Sequence, residues 1–312
     1  ECEMIYTLTL NPSIDYYVTL PEVNLGEVNR IEETTERAGG KGINVSIVLR
    51  EYEKETKALG FIGGTTGDFI KKSLVDHGVH TDFVEVNGNT RINVKIRAKE
   101  ETELNASGPN ITDSELEQLK AKFEQVDQGD IVVLAGSIPS NLPDSLYRTI
   151  AESIREKGAD FVVDTTKDAM LEVLSLEPLM IKPNHHELGE LFDTEIETFE
   201  DALPYAEQLV ERGAKNVIIS FAGDGALLVN KDGAVTANTP IGKLVNSVGA
   251  GDSLVAGFVA NVKEKGEQEA FRYAVTTGSA SAYTFGLCSK EDIDRLIDQV
   301  QLTPLKRMEE TT

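Results

Sequence analysis

Cysteine is nearly absent: the 312 residues contain two, Cys2 and Cys288. Neither lies in a CxxC or comparable ligand spacing, which argues against a disulfide framework and makes a reducing cytoplasm the expected setting. Basic residues are scarce too, 30 Lys and Arg against 53 Asp and Glu, for a formal net charge of −23. A field of that sign argues against nucleic acid as a partner. Any phosphorylated small ligand must then find a local positive well or bring a metal ion. No apolar run approaches the ~20 residues of a membrane span, and neither a membrane partner nor a secretory leader is expected. Glu1, Cys2 and Glu3 precede Met4 and read as a remnant joined ahead of the native start. Tryptophan is missing altogether while glycine reaches 26, a mix that suits an α/β protein with many tight turns.

What is present is a rhythm of short apolar runs and longer amphipathic segments. MIYTLTL (4–10), KALGFIG (57–63), DIVVLAG (130–136), DFVVD (160–164), LMIKP (179–183) and NVIIS (216–220) read as strands. Between them 42–52, 67–78, 112–126, 143–157 and 201–212 have helical spacing, and Thr112 with Glu115 forms a capping box. Strands apolar on both faces, alternating with helices, predict a parallel sheet covered on both sides, a doubly wound α/β sandwich. No linker rich in Pro, Gly or Ser divides the chain, so one domain over 4–302 is expected. Residues 16–37 and 91–106 break the rhythm with β-like alternation and no helix between strands, which predicts antiparallel pairing. They either build one small sheet that projects as a lid over the C-terminal ends of the parallel strands, or remain two surface hairpins.

Five loops carry residues suited to chemistry. In NSVGAGDSLVAGF (246–258), Gly249, Ala250 and Gly251 lead to Asp252 at a helix start, where unpaired amides form an anion hole. Asp252 either caps that helix or acts as a base toward a hydroxyl. The helix N-terminus is expected to lower its pKa and keep it ionised, a weak base adequate for phosphoryl transfer. RAGGKGINVSIVL (37–49) has neither GxxxxGK[ST] nor GxGxxG, which excludes a P-loop and a dinucleotide fingerprint. It leaves a turn at Gly39, Gly40 and Gly42 whose amides can approach a ligand, with Lys41 as a cation at its rim. Asp15 of LNPSID (10–15) is either a turn stabiliser or an acceptor for two sugar hydroxyls. Asn184 and Glu187 of KPNHHEL (182–188) have the spacing of a capping box, and equally of two oxygen groups facing magnesium through water. His185 and His186 have no further ligand at zinc spacing. SFAGDGALLV (220–229) is a hairpin turn at Asp224-Gly225 or a backbone cradle for a nucleotide phosphate.

In combination these loops resemble one family. AGGKGINVS (38–46) is similar to the first signature of the PfkB carbohydrate kinases, and NSVGAGDSLVAGFV (246–259) to the second. The order LNPSID, GGKGIN, TRINVKI, GSIPS, KPNHHEL, SFAGDG and VGAGDS resembles the phosphohexose branch of that family over nearly the whole chain. The resemblance implies a ribokinase-like three-layer α/β/α sandwich with a small β lid, acting with ATP and Mg2+, potassium being left open. It implies Asp252 as catalytic base, with Gly249, Ala250 and Gly251 as the anion hole. Asp15, Gly39, Gly40 and Asn44 would contact the sugar, and Ser137 of GSIPS would border the same pocket. Asn184 and Glu187 match an NxxE motif that organises waters around magnesium. Ser220, Gly223, Asp224, Gly225 and Gly251 would line ATP, and Gly278 would lie in the helix flanking the adenine. The family usually reads SxGxxG, whereas this chain has Ala222 at the first glycine, so the loop contact there is expected to differ.

Four cations bear on the substrate. Taken singly, Lys41, Arg30 in the lid segment, and Arg91 and Lys95 of TRINVKI are surface charges. Converging on one pocket of so acidic a chain, they would form a phosphate site. Lysine within GGKGIN is similar to the pattern of kinases acting on fructose 1-phosphate and tagatose 6-phosphate. The expected activity is phosphoryl transfer from ATP to the 6-hydroxyl of fructose 1-phosphate, giving fructose 1,6-bisphosphate. Tagatose 6-phosphate is the alternative substrate, and a non-catalytic phosphosugar sensor the alternative of another class. Lids of this branch often pair, so a homodimer through the lid is expected.

Overall fold

The strand Ile131–Ala135 shows why the sheet is covered twice: Val132 and Leu134 enter one hydrophobic cluster, Ile131 and Val133 another. Phe161 and Val163 oppose Val162 in the same way, and Val217 and Ile219 oppose Ile218. Side chains alternate across a strand, so one that is apolar at every position needs a layer on each face. In the computed structural model, which describes residues 3–305, helices supply both layers. Helices Asp113–Lys122, Leu146–Glu156, Lys167–Val173, His185–Phe192 and Phe199–Glu211 cover one face. Lys41–Glu51, Ala250–Lys265, Glu267–Ala282 and Lys290–Leu296 cover the other. The three-layer α/β/α sandwich is the expected one, and the Thr112/Glu115 capping box is formed. Of the remnant expected over 1–3, Glu1 and Cys2 lie outside the described residues.

The central sheet runs Leu302–Pro304, Gly233–Ala237, Ala226–Asn230, Asn216–Ser220, Met180–Ile181, Asp160–Asp164, Ile131–Ala135, Ile5–Thr9, Thr56–Ile62, His80–Thr81, with Val84–Glu85 also on Thr56–Ile62. From Asn216–Ser220 to His80–Thr81 neighbours are parallel; beyond Asn216–Ser220 they are antiparallel. Ile5–Thr9 lies inside the sheet. The chain first builds outward from one side of it, then returns to lay Ile131–Ala135 on the other. Strand order reverses there, and open α/β sheets bind ligands beyond the C-terminal strand ends at such a point.

A second sheet, ordered Glu33–Gly39, Ser13–Thr19, Arg91–Arg97, Glu101–Leu104, is built from the two segments without helical rhythm. Each hairpin is antiparallel, but Ser13–Thr19 and Arg91–Arg97 pair in parallel. The parallel seam follows from the intervening chain, residues 20–90, which passes through the main sheet and lets both strands leave its edge in one direction. One face carries Asp15, Tyr17, Lys95 and Arg97; Tyr17 meets Phe285 edge-on at 5.6 Å between ring centroids. Arg37 and Arg97 lie over the Phe285 ring at 4.2 and 4.3 Å, and Arg37 donates to the Phe285 carbonyl. On the opposite face Val18 is buried, while Ile92 and Leu104 are exposed.

Candidate active site

The helix carrying Lys41 and Asn44 starts at Gly40, which has no side chain to cap it. Thr9, at the end of the innermost strand, supplies the missing acceptor: its Oγ1 takes a hydrogen bond from the Ile43 amide at 3.1 Å. The sheet edge therefore fixes the first turn of the helix, and with it the two polar side chains. Asp15 lies directly over Gly39, where an added Cβ would stand 2.3 Å from its Oδ2. Ser13 donates to Asp15 Oδ1 at 2.8 Å, and burial raises the Asp15 pKa despite that bond.

Gly249 adopts φ 85°, a left-handed conformation suited to glycine, and turns the chain into the helix Ala250–Lys265. Asp252 makes no capping bond to this helix. It accepts instead from Asn44, whose Nδ2 is 3.0 Å from Oδ2. Asn44, expected to contact the sugar, is thus bonded to the proposed base. The expected place of Ala250 in the anion hole is corrected: its amide donates to the Ser247 carbonyl at 3.2 Å, closing the turn. Among the described residues the amides of Gly251 and Asp252 have no such partner. The expectation of a lowered Asp252 pKa is corrected as well: it is pushed up to about 6. Burial to 6% exposure is the main cause, Asp164 adds to it, and Lys41, Asn44 and Lys182 oppose it. Desolvation here outweighs the helix terminus.

Two functional groups escape the sequence reading. Asp164, buried at the end of Asp160–Asp164, pairs with Lys41 Nζ at 3.4 Å and Lys182 Nζ at 3.9 Å. Lys182 follows the short strand Met180–Ile181, and its side chain is only 10% exposed. A signal for both exists in the sequence, since a charge ending an otherwise apolar strand sits where parallel sheets bind ligands. Lys41 is raised in pKa: burial works against its charge, but Asp164 and Asp252 outweigh it.

Beyond Thr9 and Ala135 opens a cavity of about 440 Å³ reaching Gly40, Lys41, Arg91 and Ser137. Asn11 of LNPSID and Ser140 of GSIPS also line it, as do Ser107, Asn110 and Asn141, which no sequence motif announces. The loop bearing Ser137 is held by Gly136, whose carbonyl accepts from Tyr147 and Thr165, both at 2.8 Å. The expected convergence of four cations is corrected to two, since only Lys41 and Arg91 of the four line this cavity. Arg91 uses its guanidinium to hold the carbonyls of Ala106 and Asn11, each at 3.0 Å. Lys95 pairs with Glu103 at 3.0 Å on the small sheet, and Arg30 lies in the 20–32 connection, where it is exposed. Antiparallel pairing with an acidic strand captures Lys95.

On the other side, Ser220 ends its strand beside Asn184, to which it is bridged. Asn184 and Glu187 form the capping box, with Glu187 N to Asn184 Oδ1 at 2.8 Å. Ser220, Gly223, Asp224 and Gly225 lie at an antiparallel hairpin connection. Ala222 there has φ 49°, the left-handed conformation that the usual glycine would accept without strain. Gly278 packs against the Ala250 carbonyl, 3.1 Å from an added Cβ, so it brings two helices together at the anion-hole end. His185 stacks on Phe221 at 4.9 Å.

A buried carboxylate beside free helix-terminal amides, at a strand-order reversal of a doubly wound sheet, is an arrangement suited to phosphoryl transfer onto an alcohol. The pfkB family carbohydrate kinase profile matches residues 8–293, and the chain belongs to that family of ATP-dependent sugar kinases with the ribokinase-like fold. It is 49% identical over 303 residues to a 1-phosphofructokinase of Bacillus subtilis (strain 168), covering 97% of this chain and 100% of that one. A D-tagatose-1-phosphate kinase of Bacillus licheniformis is 35% identical, over 97% and 100% of the two chains. The crystal structure of phosphofructokinase-2 from Escherichia coli in complex with substrates and products superposes with a TM-score of 0.89 at 28% identity, covering 95% and 98%.

Proposed function

We propose that this kinase transfers the terminal phosphoryl group of ATP to the 6-hydroxyl of fructose 1-phosphate, giving fructose 1,6-bisphosphate. The observation that carries the chemistry is Asp252, buried, bonded to Asn44 and adjoining the unpaired amides of Gly251 and its own backbone. The 49% identity to a 1-phosphofructokinase favours the substrate. Lys41 and Arg91 on the cavity give it a cationic lining suited to a phosphosugar. The sugar would lie in that cavity under the small sheet, its hydroxyl toward Asp252, with Asp15 at the sheet's edge.

Asp252 takes the hydroxyl proton as the oxygen–phosphorus bond forms and the bond to the ADP oxygen breaks. Little prior activation of the nucleophile is needed in a loose transition state. The amides hold charge on the phosphoryl oxygens, and the small sheet excludes water that would hydrolyse ATP. ATP would lie along the 220–252 side, against Ser220, Gly223, Asp224, Gly225 and Gly278. Asn184 and Glu187 offer hard oxygen donors, and each still has an acceptor lone pair beyond its capping bond. That donor set fits magnesium held through water, which would neutralise phosphate charge.

The reading includes a cytoplasmic setting, where ATP and phosphosugars are supplied, and a homodimer. Leu25 is 94% exposed and Val28 83%, on the connection between two strands of the small sheet, which also exposes Ile92 and Leu104. Apolar side chains so exposed favour a second copy of the chain as their cover. Among the described residues no helix is long and apolar enough to cross a membrane.

The relation to a D-tagatose-1-phosphate kinase favours a tagatose phosphate as the second reading. A panel of fructose 1-phosphate, fructose 6-phosphate, tagatose 1-phosphate, tagatose 6-phosphate and fructose, compared by kcat/KM, decides. Fructose 1-phosphate should lead by at least tenfold; a tagatose phosphate in first place overturns the assignment, and no ADP release with any sugar overturns the enzyme.

A further inference from the structure

Tyr147 is 1% exposed and stands in the first turn of Leu146–Glu156, where helical side chains lean back past the helix start. It belongs to the apolar cluster that includes Leu146, Ile150 and Ile154, but its hydroxyl leaves that cluster for the end of Ile131–Ala135. There it lies 2.8 Å from the Gly136 carbonyl and 3.2 Å from that of Ala135. Burial, and Asp164 after it, raises the Tyr147 pKa, so the hydroxyl stays a donor. Thr165 donates to the same Gly136 oxygen from the end of the neighbouring strand, at 2.8 Å. The Gly136 amide in turn donates to the Asp164 carbonyl at 2.9 Å. Gly136 has φ 102°, yet a Cβ added there would meet nothing within 4 Å. These hydrogen bonds, and not crowding, therefore hold the turn in place. Ser137, Ser140 and Asn141 beyond it are exposed, so their own side chains do little to anchor the loop.

We infer that Tyr147 and Thr165 are positioning residues for the sugar: by gripping one carbonyl they set where Ser137 stands in the cavity that Lys41 also lines. The inference rests on the phosphosugar kinase reading. Neither residue lines that cavity, so both act through the Gly136 peptide. That peptide joins the first turn of a helix to the ends of two strands, and Asp164 at one of those ends pairs with Lys41 at 3.4 Å. Ser137 and Lys41 are thereby kept in one register, although they come from different loops. A loop fixed before the sugar arrives loses less conformational freedom on binding, and the hydroxyl it carries is already in place. The other explanation is a tyrosine that merely satisfies its own hydroxyl in the core. It predicts a loss of stability with both substrates bound as before.

The test is Tyr147→Phe in the full chain, which removes the hydroxyl and keeps the ring. KM for the phosphosugar should rise about tenfold, the scale of one lost hydrogen-bonded contact, while KM for ATP stays within about twofold. Thr165→Val frees the same oxygen from the other side and should shift the two constants in the same unequal way. In a Ser137→Ala background, Tyr147→Phe should raise the sugar KM by less than about twofold, because the contact it positions is gone. Sugar and ATP constants that move together, a lower Tm with neither constant changed, or an equal rise with and without the Ser137 hydroxyl overturns the inference. If Tyr147→Phe does not fold, Thr165→Val is judged by the same readouts, and failure of both to fold overturns the inference in favour of a structural role. Wild type is assayed alongside on the sugar panel. Turnover of another phosphohexose in place of fructose 1-phosphate overturns the substrate alone, and Tyr147 is then judged on that sugar; no turnover of any sugar overturns the kinase reading and this inference with it.

Discussion

Asn44 donates to Asp252 at 3.0 Å across 208 residues of sequence, joining the first turns of two helices that both point at the sheet edge. The bond constrains the carboxylate's rotamer through one oxygen, leaving the other for the hydroxyl of the proposed reaction. It also opposes the burial that raises the Asp252 pKa to about 6. Removing it should therefore change the titration as well as the rate. Asn44→Ala should move the acid limb of kcat/KM to higher pH, with a larger loss at pH 6.5 than at pH 8. Parallel pH profiles for variant and wild type would contradict a role on the base.

Asp252→Asn separates function from stability. Turnover should fall by at least 10³-fold, in line with loss of a base and its charge, while ATP binding stays nearly intact. The variant should also be more stable at pH 8. A carboxyl raised from 3.8 to about 6 in the fold disfavours the native state once ionised. Its replacement should return about 2–3 kcal/mol above pH 6, and that gain should fade as pH falls from 6 toward 4. Melting at pH 8 and pH 4.5 measures it; an unchanged Tm at pH 8 would show that the buried charge is better compensated.

The wild-type pH profile follows from the same group. Asp252 must be ionised to accept the proton, so kcat/KM should fall about tenfold per pH unit below 6 and level off above 7. A limb near pH 4 would place the base elsewhere or show it fully solvated.

Lys41→Ala and Arg91→Ala should both raise KM for the phosphosugar far more than KM for ATP, because both line the same cavity. They should differ in stability. Arg91 holds two loop carbonyls, so its loss should cost about 1–3 kcal/mol, whereas half-exposed Lys41 should cost little. Equal shifts in both KM values would show that neither residue reads the sugar phosphate.

Phe285 ties the small sheet to the main body through Tyr17, Arg37 and Arg97. Phe285→Ala should loosen that closure, raising KM for the sugar and the rate of ATP hydrolysis without transfer. Unchanged coupling between ATP consumption and sugar phosphorylation would show that the contact is structural only.

The sequence determined the sandwich, because strands apolar at every position such as Ile131–Ala135 admit no other solution than cover on both faces. It also determined the glycine turns and their acid, because left-handed backbone at Gly249 and close approach at Gly39 restrict residue type locally. Tertiary structure decided which charges meet. Asn44 and Asp252 are 208 residues apart and Lys41 and Asp164 are 123 apart, and the order of parallel strands brings them to one edge. The ionisation of Asp252 was decided there too. A helix terminus lowers a carboxylate's pKa in solution, but the depth of burial at Asp252 is set by two layers of packing that no local pattern records. Arg91, Lys95 and Arg30 look alike as charges in sequence; the carbonyls, carboxylate and solvent they meet are assigned by strand register and loop contact.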